Sequence, residues 1–154
     1  MTRRFAMLVA AAGSAGLLIG ALGFQYLVSL PPCPLCIWQR WPHLLAVLAG
    51  AVALVWPVRG VALAGALGAA GSAAIAVFHA GVEQKWWEGF AFCSTGSIEG
   101  ISSSDLLNPA VDVGRVVRCD EIAWQMAGIS MAGWNAIISA ALVAIWLFAA
   151  FRRA

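Results

Sequence analysis

Between Phe5 and Gln39 the chain carries no Asp, Glu, Lys or Arg. An uncharged apolar run of about 18 residues or more is long enough to cross the hydrocarbon of a bilayer, and this sequence contains several. Only 10% of the residues are charged and 62% are apolar, against roughly 25% charged in an ordinary soluble protein. A water-soluble core would need polar cover that these residues cannot supply, so the chain reads as an integral membrane protein. Its 154 residues fit one domain. The net charge of +2, with the basic residues dispersed, gives no footing for nucleic acid.

The apolar runs predict an all-α, four-helix transmembrane bundle forming a single domain over 1–154. Its spans cover about 5–28, 37–56, 60–82 and 127–151. Helices suit these runs because lipid cannot satisfy an open backbone, and the segments lack the alternation of barrel strands. Arg3, Arg4, Arg59, Arg152 and Arg153 fall at the two termini and the short connector at 57–60, while every acidic residue lies between Glu83 and Glu121. Four crossings put the arginine-bearing segments on one face, which the positive-inside rule makes cytoplasmic. Segments 29–36 and 83–126 are then two outer, periplasmic loops of a bacterial inner membrane. Tyr26, Trp38, Trp41, Trp86, Trp87 and Trp134 fall near the outer span ends and Trp56 and Trp146 near the inner ones, as aromatic belts do. The first apolar run exceeds the roughly 7–15 residues of a signal-peptide core and reads as a retained span. Gly16-x-x-x-Gly20 and the run Gly65 to Ala74 predict close helix packing. The spans contain no acidic residue for a proton-coupled transporter to use.

Chemistry concentrates in the cysteines. Cys33-Pro-Leu-Cys36 precedes the second span, with Arg40 one turn further on; Cys93 and Cys119 lie in the second outer loop. A Cys-x-x-Cys alone suits half a zinc site or a redox pair. Redox is favoured here by the oxidising compartment, by a helix N-terminus that stabilises a thiolate, and by Arg40 on the same helix face as Cys36. Arg40 reads either as a snorkelling interface residue or as a donor to a bound carbonyl compound or to Cys36. Cys93 and Cys119 taken alone suit a staple, worth about 3.5 kcal/mol on the loop-entropy model. A second pair on the same face favours exchange between pairs, and with it electrons passing from a soluble thiol protein to an acceptor in the bilayer. The competing reading is a non-catalytic four-span protein with a structural four-cysteine zinc site or disulfides. His43 and His79 read as packing or hydrogen-bonding residues rather than metal ligands, and no Cys-x-x-Cys-His run supports haem attachment.

The motif Cys33-Pro-Leu-Cys36-Ile-Trp-Gln-Arg40, the two later cysteines and the segment from Cys119 to Trp134 resemble the disulfide bond formation protein B (DsbB) family of bacterial membrane thiol oxidases. The resemblance implies a membrane thiol:quinone oxidoreductase in which Cys33, Cys36, Cys93 and Cys119 are catalytic. A periplasmic thioredoxin-fold, DsbA-like partner would attack a Cys93–Cys119 disulfide, forming its mixed disulfide with Cys93. Exchange with Cys33–Cys36 would follow, and Cys36 would pass electrons to a quinone held by Arg40. Ubiquinone is the default acceptor and menaquinone its anaerobic substitute; no metal or flavin is implied. His79, Glu83 and Gln84 are unassigned polar candidates at the end of the third span. Residues 105–118 are expected to form a short amphipathic element on the bilayer, interrupted by Pro109.

Overall fold

The computed structural model describes residues 2–94 and 118–152. Among them are four long helices, α1 (Arg3–Tyr26), α2 (Pro34–Ala53), α3 (Arg59–Glu83) and α5 (Met131–Phe151), and a single turn, α4 (Ala91–Ser94). Two short strands, β1 (Gln125–Met126) and β2 (Ile129–Ser130), pair as an antiparallel hairpin before α5. The fold is therefore mostly helical rather than strictly all-α. The expected amphipathic element at 105–118 lies, apart from Arg118, outside the described residues.

Local chemistry sets where the long helices start. The Thr2 hydroxyl accepts from the Phe5 amide, the Cys33 sulfur from the Cys36 amide and the Ser130 hydroxyl from the Gly133 amide, each satisfying an amide that the helix itself leaves orphaned. Pro34 occupies the first turn of α2, where a missing N–H costs nothing. This starts α2 a few residues before the span expected at 37. The last helix starts later than expected, at Met131, because the hairpin takes residues 127–130. Its turn, Ala127 and Gly128, has φ of 53° and 76°, which a helix cannot accommodate.

Helices α1, α3 and α5 are each long and apolar enough to cross a membrane; the protein is a multi-pass membrane protein. Helix α2 is comparably long but carries Gln39, Arg40, Pro42 and His43 in its first half. The four long helices pack in the cyclic order α1, α2, α3, α5. Their core is built from small residues, among them Ala6, Ala10, Ala46, Ala49, Ala62, Ala66, Ala69 and Ala149, around Met7, Leu142 and Trp146. Small side chains let backbones approach where lipid offers no hydrophobic drive. A Cβ on Gly68 would lie 2.6 Å from the Pro42 carbonyl oxygen and 3.0 Å from the Ala46 nitrogen, so α2 and α3 touch backbone to backbone.

Two packing expectations change. Trp146 is fully buried, with its ring against Gly65, and belongs to the core rather than to an interfacial belt. Among the described residues, Gly16 and Gly20 have no neighbouring atom within 4 Å of a built Cβ and border a cavity instead of a helix. At the end of the bundle where α1 starts and α5 finishes, the Arg3 guanidinium donates to the carbonyls of Ala149 and Arg152. There too Arg59 lies 4.6 Å from the centre of the Phe151 ring. The arginine-bearing ends thus meet at one pole, and the beginning of α2 and the end of α3 form the other.

Candidate redox site

At the opposite pole from the arginines, the cysteines gather in one buried cluster. Cys33, Leu35, Val82, Cys93 and Cys119 form its centre, with Cys36, Ile75 and Phe78 packed against it. Cys93 and Cys119 are joined as a disulfide. The Cys119 amide also donates to the Cys93 carbonyl at 3.1 Å. Cys33 and Cys36 are thiols, their sulfurs 2.8 Å apart. The second pair, although it lies in a polar outer loop, does not project outward. Cys93 is 4% exposed and Cys119 fully buried, in one cluster with Cys33, Leu35 and Val82 against which Ile75 and Phe78 pack. With Cys93 and Cys119 bonded to each other, a site using all four sulfurs as zinc ligands is not formed.

A buried column of uncharged polar groups supports the thiol pair. Asn135 of α5 donates to Gln39 Oε1 at 2.6 Å and to Ser72 Oγ at 3.2 Å. The Gln39 amide nitrogen lies 3.0 Å from His79 Nδ1. With Gln39 Oε1 taken by Asn135, that nitrogen donates to the histidine, leaving the proton on Nε2. His79 Nε2 stands 3.5 Å from the Cys33 sulfur and 3.8 Å from Glu83. Below, His43 Nε2 lies 3.0 Å from Asn135 Oδ1, and Ser139 donates to the same oxygen. Both histidines are thus hydrogen-bonded as expected, and His79 reaches a reactive sulfur as well. Gln39, Ser72, Asn135 and Ser139 were not singled out in the sequence. The available signal was their polarity inside apolar runs, which marks function or helix–helix adhesion.

A cavity of about 440 Å³ opens beside the thiols, lined by Cys33, Cys36, Arg40 and His79 at its polar end and by Leu17, Phe24, Met131 and Ile138 elsewhere. The Arg40 guanidinium donates to Gln25 Oε1 at 2.6 Å, while its Nε is buried without a partner among the described residues. Gln25 of α1 thus holds an arginine that α2 presents. Glu83 is also buried, with Oε2 unpartnered. Of the polar candidates at the end of α3, His79 and Glu83 border the cavity, whereas Gln84 is not among its lining residues.

The loop cysteines are tied down by charge. Asp120 accepts two bonds from the Arg118 guanidinium, both 2.9 Å, and one from Lys85 at 2.6 Å. These cations hold its carboxyl well below the usual carboxylate range. Lys85, at φ 60°, is where the chain turns off the end of α3, so the clamp spans the turn after α3 and the return to α5.

Comparison with known proteins agrees with this arrangement. A family described as disulfide bond formation protein DsbB matches residues 3–149. The Disulfide bond formation protein B of Dechloromonas aromatica (strain RCB) is 30% identical over 145 residues, covering 86% of this chain and 82% of the relative. That of Azoarcus sp. (strain BH72) is 30% identical over 155 residues, covering 94% and 92%. That of Hahella chejuensis is 29% identical over 147 residues, covering 90% and 88%. No solved structure gives a significant match. A family match running nearly from end to end, over a bundle that gathers two cysteine pairs at one pole, settles the assignment: the chain belongs to the disulfide bond formation protein DsbB family.

Proposed function

We propose that this disulfide oxidoreductase reoxidises a periplasmic DsbA-like thiol oxidase and passes the electrons to a quinone in the bilayer. The observation that carries this reading is the packing of both cysteine pairs into one cluster whose Cys36 side opens on an apolar cavity. Helix α2 is the fourth span, so that both pairs face the periplasm and both termini the cytoplasm. Its polar first half faces the cavity and its neighbours: Gln39 and His43 are buried, and Arg40 is bonded to Gln25.

A thiolate of the reduced partner attacks Cys93 Sγ, and Cys119 leaves as a thiolate. The partner's second cysteine resolves the mixed disulfide, departs oxidised and leaves Cys93 and Cys119 as dithiol. That dithiol reduces a Cys33–Cys36 disulfide by the same exchange, giving the arrangement described above: loop pair oxidised, Cys-x-x-Cys pair reduced. Cys33 and Cys36 then lose two electrons and two protons and re-form their disulfide. The quinone receives both and becomes quinol. The cavity suits it: apolar walls accept its ring and tail, and the buried, unpartnered Arg40 Nε supplies a donor for a carbonyl oxygen. His79 Nε2–H, its tautomer fixed by Gln39, lies 3.5 Å from the Cys33 sulfur as a hydrogen-bond donor to the thiolate that forms there.

Purified protein supplied with a reduced DsbA-like partner and ubiquinone tests the reading. Turnover is expected in the parent, with loss in Cys33→Ser and Cys36→Ser. A trapped partner adduct at Cys93 is expected in Cys119→Ser, and a raised quinone requirement in Arg40→Ala. Normal turnover without Cys36 overturns the assignment.

A further inference from the structure

We propose that the reduced Cys33–Cys36 pair, together with His79 and Glu83, is a binding site for a zinc ion. The sulfurs of Cys33 and Cys36 and a ring nitrogen of His79 lie within 4.8 Å of one another. Glu83 stands just outside that group, its Oε1 3.8 Å from His79 Nε2, and its side chain turns inward to supply the fourth ligand. Two sulfurs, an imidazole nitrogen and a carboxylate oxygen make a tetrahedral zinc set.

The dimensions are close to those required. With zinc–sulfur bonds of about 2.3 Å and zinc–nitrogen bonds of about 2.0 Å, tetrahedral angles place two sulfurs about 3.7 Å apart and a sulfur and a nitrogen about 3.5 Å apart. The Cys33–His79 distance is already 3.5 Å. The two sulfurs, at 2.8 Å, need to separate by about 1 Å, which a side-chain rotation of Cys36, the less buried cysteine, provides.

Two further observations point to a cation. Glu83 Oε2 is buried with no hydrogen-bond partner among the described residues, its side chain only 5% exposed, a costly state that an ion beside it relieves. The charges also close: two thiolates and a carboxylate balance a divalent ion and the Arg40 guanidinium that lines the same cavity. Ligation through Nε2 moves the His79 proton to Nδ1, so the Gln39 and Asn135 side-chain amides turn over together and Gln39 Oε1 accepts from Nδ1–H, the outer hydrogen bond that orients ligating histidines. Binding displaces two thiol protons, and oxidation to the Cys33–Cys36 disulfide removes both sulfur ligands, so the site exists only in the reduced half of the cycle. Zinc binding stands independently of the redox reading. Its consequence, that the ion occupies the sulfurs needed for electron transfer and stops turnover, rests on that reading.

The test uses full-length Cys93→Ser/Cys119→Ser protein in detergent, reduced with a phosphine, desalted and offered zinc alone. One equivalent is expected to be retained, and none after oxidation of the remaining pair or on adding Cys36→Ser. His79→Ala and Glu83→Gln are each expected to weaken binding by about tenfold to a hundredfold. Zinc-edge X-ray absorption is expected to report two sulfur and two nitrogen or oxygen neighbours, a readout that needs no further variant to fold. Failure to retain zinc, affinity unchanged in both His79→Ala and Glu83→Gln, or a sulfur-only coordination shell overturns the site. In the parent, zinc is expected to abolish quinone reduction and a chelator to restore it. A zinc-free parent that fails to turn over counts against the redox reading and leaves the binding result standing.

Discussion

Asp120 follows directly on Cys119, and its carboxylate gathers Arg118 and Lys85 around the buried disulfide. Because those cations depress its folded-state pKa, the clamp contributes fully above the unfolded value, about 3.9, and is lost as pH falls through the lower folded value. Lys85 and Arg118 are substantially exposed, so the effect is modest and salt-sensitive. At neutral pH, Asp120→Asn is expected to speed phosphine reduction of Cys93–Cys119 by about twofold to fivefold, as the loss of exposed ion pairs allows. The difference should shrink as the solution is acidified below about pH 4; a gap that persists there speaks against the clamp. At this scale the sequence was legible where chemistry is local: the Cys-x-x-Cys, Arg40 a turn later and the later cysteines stand out from spacing alone. The link from Asn135 through Gln39 to His79 was not, because three helices must pack before those side chains meet. The burial of Cys93 and Cys119 was hidden too, since a polar loop gives no sign that its cysteines will pack against the ends of α2 and α3.

Helices α2 and α3 meet at Gly68, and the contact is with backbone rather than with a side chain free to swing aside. Gly68→Ala is therefore expected to cost about 1–3 kcal/mol, as overpacking does, despite the better helix propensity of alanine. Reversible unfolding in mixed detergent measures it. The same change at Gly16, which has open space, serves as the control and should not destabilise. The small-residue run from Gly65 announced close packing, and the helices supply it. Gly16-x-x-x-Gly20 presented the same pattern without a partner, because a spacing motif cannot say which face another helix will take. Element ends moved by a few residues for a similar reason: the Cys33 sulfur and the Ser130 hydroxyl act as caps, and the hairpin turn at 127–128 consumes residues whose hydropathy suits a span. Trp146 was misread because hydropathy places an aromatic residue by depth only, whereas Gly65 leaves room for its ring inside.

Across the whole molecule the two poles differ in kind. Arg3, Arg59 and Arg152 meet at one, and both sulfur pairs at the other. If the arginine pole is cytoplasmic, a cysteine introduced at Val58 in a cysteine-free background is shielded from a membrane-impermeant maleimide in intact cells, and one at Ser29 is labelled. The opposite pattern, or labelling of both, would refute the topology. The long apolar helices α1, α3 and α5 were readable from sequence because lipid imposes their composition on each segment separately. The cyclic packing order was not, since any pairing of four apolar rods satisfies hydropathy. One further feature bears on supply. Gly16 and Gly20 are exposed on α1 while also bordering the cavity, so that chamber has a window on the flank of the bundle. An amphiphile dissolved among the acyl chains can enter sideways with its tail still outside, and traffic is then governed by lateral diffusion in two dimensions instead of by passage through water.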